Sequence, residues 1–141
     1  MASDPKIQKT IRRCQQRVQE GQFYEAHQQL RVIAARYVKQ KDFVSATEVL
    51  HGGAGELLRG GQGGSAGDLC FYLVTILRDG QIRIDDNLRT KLIGLLNLFS
   101  SEEPSLKKYT DELLKWSSQF SDFPCGDPEV QLAVGRSLVG E

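Results

Sequence analysis

An all-α fold, an α-solenoid of antiparallel helical hairpins of the TPR-like kind with six to seven helices, follows from three features of the sequence. The first is a repeat. Phe23-Tyr24-Glu25-Ala26 through Leu30, Phe43-Val44-Ser45-Ala46 through Leu50, and Gly63-Gly64-Ser65-Ala66 through Cys70 recur at a spacing of twenty residues. A unit of that length is one helix plus one turn, and two units make a hairpin of the size found in helical arrays. The second feature is the recurrence of apolar residues at three- and four-residue intervals, the spacing of one helix face. The third is punctuation, with prolines and short polar residues opening segments that glycines close.

Each element can be justified in turn. Ser3 or Asp4 followed by Pro5 opens the first helix, whose apolar stripe is Ile7, Ile11, Cys14 and Val18 and which Gly21 ends. The second carries Phe23, Ala26, Leu30, Ile33, Ala34 and Tyr37 on one face and stops near Lys41-Asp42. The third runs from about Asp42 to Leu58 with Phe43, Ala46, Val49, Leu50, Ala54 and Leu57 inward. Gly52, Gly53 and Gly55 each cost it up to about 1 kcal/mol relative to alanine, which predicts close approach of a neighbouring backbone. Gly60 to Gly64 form the next turn. Ser65 then caps a fourth helix, with Asp68 three residues on in a capping-box arrangement.

Leu69 to Leu77 is apolar almost all round, so the fourth helix is expected to be the most enclosed. After Asp85-Asp86, a fifth helix is marked by Leu88, Leu92, Ile93, Leu95, Leu96 and Phe99. Pro104 starts a sixth, in which Leu106, Tyr109, Leu113, Leu114 and Trp116 pack. The register fails here, because Arg83 and Asp86 stand where the aromatic and the alanine would recur. Asp127-Pro128 opens a seventh helix through Val130, Leu132, Val134 and Leu138. No later helix follows to pair with it. The expectation is therefore one folded unit over 1–141, continued by further repeats in a longer protein.

Charge is balanced overall, 18 Lys and Arg against 18 Asp and Glu, which favours neither a nucleic-acid binder nor a membrane-surface protein. Its distribution is uneven. Nine basic residues up to Lys41 face only Asp4, Glu20 and Glu25, while the rest of the chain holds nine basic and fifteen acidic residues. Cys14, Cys70 and Cys125 are odd in number and lack CxxC spacing, and the first two sit at apolar helical positions, which predicts reduced thiols and a reducing compartment. The charged N-terminal segment is no secretory signal, and the longest apolar run is about half a membrane span. A cytosolic protein is expected.

Catalytic constellations are weak. Gly60-Gly61-Gln62 matches the tripeptide of peptide-release factors but punctuates two helices, and no phosphate-loop lysine or preceding strand accompanies the glycines. His27 and His51 are the only histidines, so no metal, cofactor or catalytic grouping is expected. The first helix is more informative. At 100° per residue, Lys6, Lys9, Arg13 and Arg17 fall within about 80° of arc beside the apolar stripe, and Arg12 and Gln16 extend that face. Tyr24, Gln28 and Arg31 of the second helix are expected to meet its edge. Without i,i+4 acids, such a row attracts an acidic partner. Asp68 reads as a helix cap that complements the dipole, which leaves room for a second role.

Several short motifs in order resemble the fourth component of the guided-entry-of-tail-anchored-proteins machinery, a scaffold also named for Golgi-to-ER traffic. They are Tyr24-Glu25-Ala26-His27-Gln28 with Arg31 and Arg36-Tyr37, Gln62-Gly63-Gly64-Ser65 with Asp68-Leu69, Lys115-Trp116-Ser117, and Gly126-Asp127-Pro128. The likeness runs from about Arg13 onward and fits the N-terminal half of such a protein. It implies a non-enzymatic cytosolic adaptor that docks the targeting ATPase of tail-anchored membrane proteins, with no direct membrane insertion. The absent C-terminal half would hold a ubiquitin-like-domain partner. The implied docking surface comprises Lys9, Arg12, Arg13, Gln16, Arg17, Tyr24, Gln28 and Arg31, with Asp68 influencing the ATPase cycle. The rival reading is a helical-repeat RNA-binding module, which would need cations in every unit to follow a strand.

Overall fold

The computed structural model describes residues 4–140. Among them are seven helices and no strand: α1 (Pro5–Gln19), α2 (Phe23–Lys39), α3 (Phe43–Arg59), α4 (Gly63–Asp79), α5 (Asp86–Leu96), α6 (Pro104–Gln119) and α7 (Pro128–Val139). They stack in two rows. α1, α3, α5 and α7 form one, α2, α4 and α6 the other, and the packing of α1 on α2, α2 on α3, α3 on α4 and α6 on α7 joins the rows. This is the solenoid that the repeat predicts.

The helix starts have local causes. Asp4 caps α1 by accepting the Lys6 N–H at 2.8 Å, ahead of Pro5; the alternative cap, Ser3, lies outside the described residues. Asp42, Asp85 and Asp127 likewise accept backbone N–H groups at the starts of α3, α5 and α7. α2, α3 and α4 are each seventeen residues long and begin twenty apart. Their turns repeat too. Gly21, Lys41, Gly61 and Gln81 all take positive φ, between 55° and 79°, so the twenty-residue turn persists to Gln81. The register is lost only in the segment 82–85 that leads to α5, and Phe99 falls beyond the end of that helix.

The core runs through both rows and includes Leu30, Leu50, Leu73, Leu92, Tyr109 and Trp116, all essentially inaccessible. The expected enclosure of α4 is shared with α3, which buries as many residues. The glycines of α3 have a cause other than the one expected. A Cβ on Gly52 would overlap the Ile11 side chain of α1, and one on Gly53 would overlap the methyls of Leu30 on α2. Neighbouring side chains, not backbone, enter the gap, and Gly55 meets only Arg59 of its own helix, at 3.2 Å.

The contrast with Gly94, which has open space where its Cβ would be, gives an expected result of opposite sign. Gly53→Ala is expected to lower the unfolding free energy by about 1 kcal/mol or more, because displacing Leu30 outweighs the gain in helix propensity. Gly94→Ala is expected to raise it by about 0.5 kcal/mol. Urea unfolding of the two variants checks both signs.

Cys14 and Cys70 are buried and free, and Cys125 is exposed. Burial, with a smaller contribution from Glu56, pushes the Cys14 thiol up to about 11. At the far end α7 packs on the earlier helices α5 and α6. Val130 and Val134 are buried, whereas Leu132 and Leu138 are 57% and 49% exposed.

An ion pair adds to this apolar contact at the start of α7. Asp127, almost fully buried, accepts N–H bonds from Glu129 and Val130 and is gripped by Arg89 of α5 through Nε and Nη2. Two hydrogen bonds also tie the segment 80–85 to α6: Trp116 Nε1 donates to the Ile82 carbonyl at 2.8 Å, and the Ile84 N–H to the Phe120 carbonyl at 2.8 Å.

Candidate docking surface

α1 lies in the angle between α2 and α3, with Ile7 and Cys14 buried and Ile11 and Val18 half-buried. That packing fixes where its cations go. Lys6, Lys9, Arg12, Arg13 and Gln16 are exposed and Arg17 is half-buried. The Arg17 guanidinium donates to the Gln29 side chain of α2, and Arg13 and Arg17 line a shallow cleft with Thr10, Gln29 and Ile33. The cationic edge therefore borders the α1/α2 seam.

Ion pairing divides the chain. Arg31, Arg59, Arg78, Arg83 and Arg89 each reach a carboxylate. Among the described residues, no carboxylate lies within ion-pair distance of Lys6, Lys9, Arg12, Arg13 or Arg17. Gln16 makes only a long contact, 3.5 Å, to Glu20 one turn on.

The residues expected from α2 are placed differently. Tyr24 is 70% exposed and Gln28 is exposed, but neither they nor Arg31 make the contact with α1, which falls to Gln29. Arg31 stands about 200° around the helix from Gln29 and faces α4. There its Nη1 lies 2.8 Å from Asp68 Oδ2, and its guanidinium sits 4.3 Å above the centre of the Tyr72 ring. His27 Nε2 meets the same Asp68 oxygen at 2.6 Å.

The structure thus joins Asp68 and Arg31 to each other and removes Asp68 from its expected role as a cap. α4 begins at Gly63 with Gln62 at the N-cap position and no side-chain cap bond, so Ser65 is already inside the helix and the capping box does not form. Burial alone would raise the Asp68 carboxyl. The hydrogen bond from His27, together with the charge and hydrogen bond of Arg31, outweighs it and holds the group below the usual carboxylate range.

Sequence reasoning missed Gln29, His27, Tyr72 and Arg36. Arg36 is exposed and within about 20° of Gln29, on the α1 side of α2. The seven-residue spacing from Gln29 was the signal for it. The pairing across α2 and α4 had none, since it joins residues 37 and 41 positions apart in sequence.

Among the described residues no group of three His, Cys, Asp or Glu could hold a metal ion, and no helix is long and apolar enough to cross a membrane.

Comparison with known proteins agrees with the fold and the motifs. The family model "Golgi to ER traffic protein 4" matches residues 40–141. Golgi to ER traffic protein 4 of Aspergillus fumigatus is 45% identical over 143 residues, covering 92% of this chain and 41% of that protein. Its counterpart in Schizosaccharomyces pombe is 36% identical over 129 residues, covering 92% and 42%. The crystal structure of C. therm. Get4 superposes with a TM-score of 0.89 at 44% identity, over 92% of this chain and 42% of that one. The chain thus spans about two fifths of the length of the relatives it matches, and it belongs to the Golgi to ER traffic protein 4 family.

Proposed function

We propose that this chain is the N-terminal solenoid unit of a non-enzymatic, cytosolic scaffold that docks the ATPase delivering tail-anchored membrane proteins to the endoplasmic reticulum. In this reading a ubiquitin-like-domain partner binds the C-terminal portion of the full-length protein. The observation that carries the proposal is the row of cations on α1 left without carboxylates among the described residues, in a chain where five of the seven arginines outside α1 reach one. An unpaired cationic row beside an apolar seam suits an acidic helix of a partner, with attraction speeding the encounter.

Within that surface the roles divide. Lys9, Arg12, Arg13, Gln16 and Arg17 supply the charge and polar contacts, and Arg36 extends them on α2. Tyr24 and Gln28 supply an aromatic and an amide on the neighbouring outer face. Arg31 acts through the Asp68 pair. A partner carboxylate or cation approaching that pair changes its balance, which is how Asp68 would bear on the ATPase cycle. A scaffold shifts such a cycle only by binding one nucleotide state better than another.

The test is saturable binding of the purified ATPase to this chain, measured with and without ATP by interferometry. Tighter binding in one nucleotide state is expected, and no saturable binding in either state overturns the proposal. The RNA-reading alternative finds less support, because the basic residues of the first 41 positions meet only three acids, whereas the rest of the chain is net acidic and offers no continuous basic track.

A further inference from the structure

We infer that the groove between α3, α4 and α5 is a second docking site, which takes an apolar side chain carried beside a carboxylate on an acidic peptide. The groove has a volume of about 120 Å³. An apolar cavity of about 150 Å³ holds a benzene ring, so this smaller, open groove suits a single side chain of about leucine size. Its apolar walls are Phe43, Val44, Leu77, Ile82 and Leu88.

Loss of the repeat opens it. Phe23 and Phe43 begin α2 and α3, but residue 83, twenty further on from Gly63, is an arginine in the segment before α5. It turns out to pair with Asp122 at 2.6 Å. No aromatic from this unit fills the space against Phe43, whose ring packs on the bare Cα of Gly80. Val44 is left 68% exposed at the rim.

Charge selects the occupant. Asp85 also lines the groove, but its carboxylate is engaged in capping α5, accepting the Leu88 N–H at 2.7 Å. Lys91, farther along α5, has no carboxylate within ion-pair distance among the described residues. Its field also reaches His51 on α3, whose pKa burial, Lys91 and Arg59 together lower. A free cation beside an apolar slot fits an apolar anchor with an adjacent acid. The site is separate from the α1/α2 surface, and its test is independent of the ATPase proposal.

The test is an NMR titration of the nitrogen-15-labelled chain with the blocked peptide acetyl-Asp-Leu-Phe-Asp-amide. Saturable shifts are expected at the amides of Val44, Thr47, Leu88 and Lys91. Replacing the peptide's Leu and Phe by Ser should abolish them. Lys91→Glu, at a half-exposed position, should weaken binding about twofold to fivefold, the scale of one exposed ion pair. The Arg13→Glu/Arg17→Glu variant should bind the peptide unchanged. Shifts that do not saturate, that map elsewhere or that ignore Lys91→Glu would overturn the inference. So would groove shifts that depend on protein concentration without peptide, which would make the occupant a second copy.

Discussion

Arg89→Ala is expected to lower the unfolding free energy by about 3 kcal/mol and to release α7 first. Its guanidinium is the counter-charge of Asp127, whose side chain is 3% exposed. Removing one member of a buried pair leaves the other charge uncompensated, at a cost of about 3–5 kcal/mol. The lower figure applies because Arg89 is itself 21% exposed, and Asp127 keeps two backbone donors. Arg89→Lys is expected to recover less than half of the loss, since a point ammonium cannot reproduce the Nε and Nη2 fork. Urea unfolding measures the total, and hydrogen exchange at α7 amides shows where the loss falls. A change below about 1 kcal/mol would mean that the clamp is not what holds α7.

The same clamp sets an acid limit. Burial would raise the Asp127 carboxyl, but hydrogen bonds from Arg89 and the Val130 and Glu129 amides, with the Arg89 charge, bring it below its ordinary value. A folded pKa below the unfolded one gives stability that is present above the unfolded value, about 3.9. It disappears as pH falls through the folded value. Wild-type stability should therefore decline below about pH 4, and the decline should be shallower in Arg89→Ala, where much of the depression is gone.

Arg13→Glu/Arg17→Glu is expected to slow association with the targeting ATPase by about tenfold to a hundredfold at low salt, and to flatten its salt dependence. Screening length at physiological salt is about 8 Å, so cations on an exposed helix act mainly on the encounter. Thermal stability should stay within about 1 kcal/mol of wild type, because Arg13 is exposed, half-buried Arg17 gives up one hydrogen bond to Gln29, and neither arginine has a carboxylate to lose among the described residues. Stopped-flow kinetics across a salt series makes the measurement. Unchanged association across the salt series removes the α1 row from the interface.

Much of the fold was legible because it is written locally. Helix starts at Pro5, Pro104 and Pro128, the stripe Ile7, Ile11, Cys14 and Val18, and the twenty-residue spacing depend on neighbours within a turn or two. What stayed hidden depends on contacts between helices. Asp68 satisfies a capping box by spacing alone, yet α4 starts at Gly63, two residues before Ser65, and the carboxylate turns to Arg31 and His27. Periodicity alone did not say which side of α7 is covered, and the helix meets α5 and α6 along the line of Val130 and Val134. For the docking surface, the first-helix cations were found from periodicity. Arg31 was misplaced because the angle between α2 and its two neighbours is a tertiary quantity.

The two bonds from α6 to the segment 80–85, at Ile82 and Ile84, also govern how a load travels through the molecule. In a stack where each unit touches only its neighbours, bending concentrates wherever a joint is loosest. The joint with the irregular linker is the natural weak point, and it is the one stitched by an indole and a backbone amide. Bending at that joint has to break both bonds, so the irregular linker is braced against hinge motion where the repeat no longer supplies its regular turn.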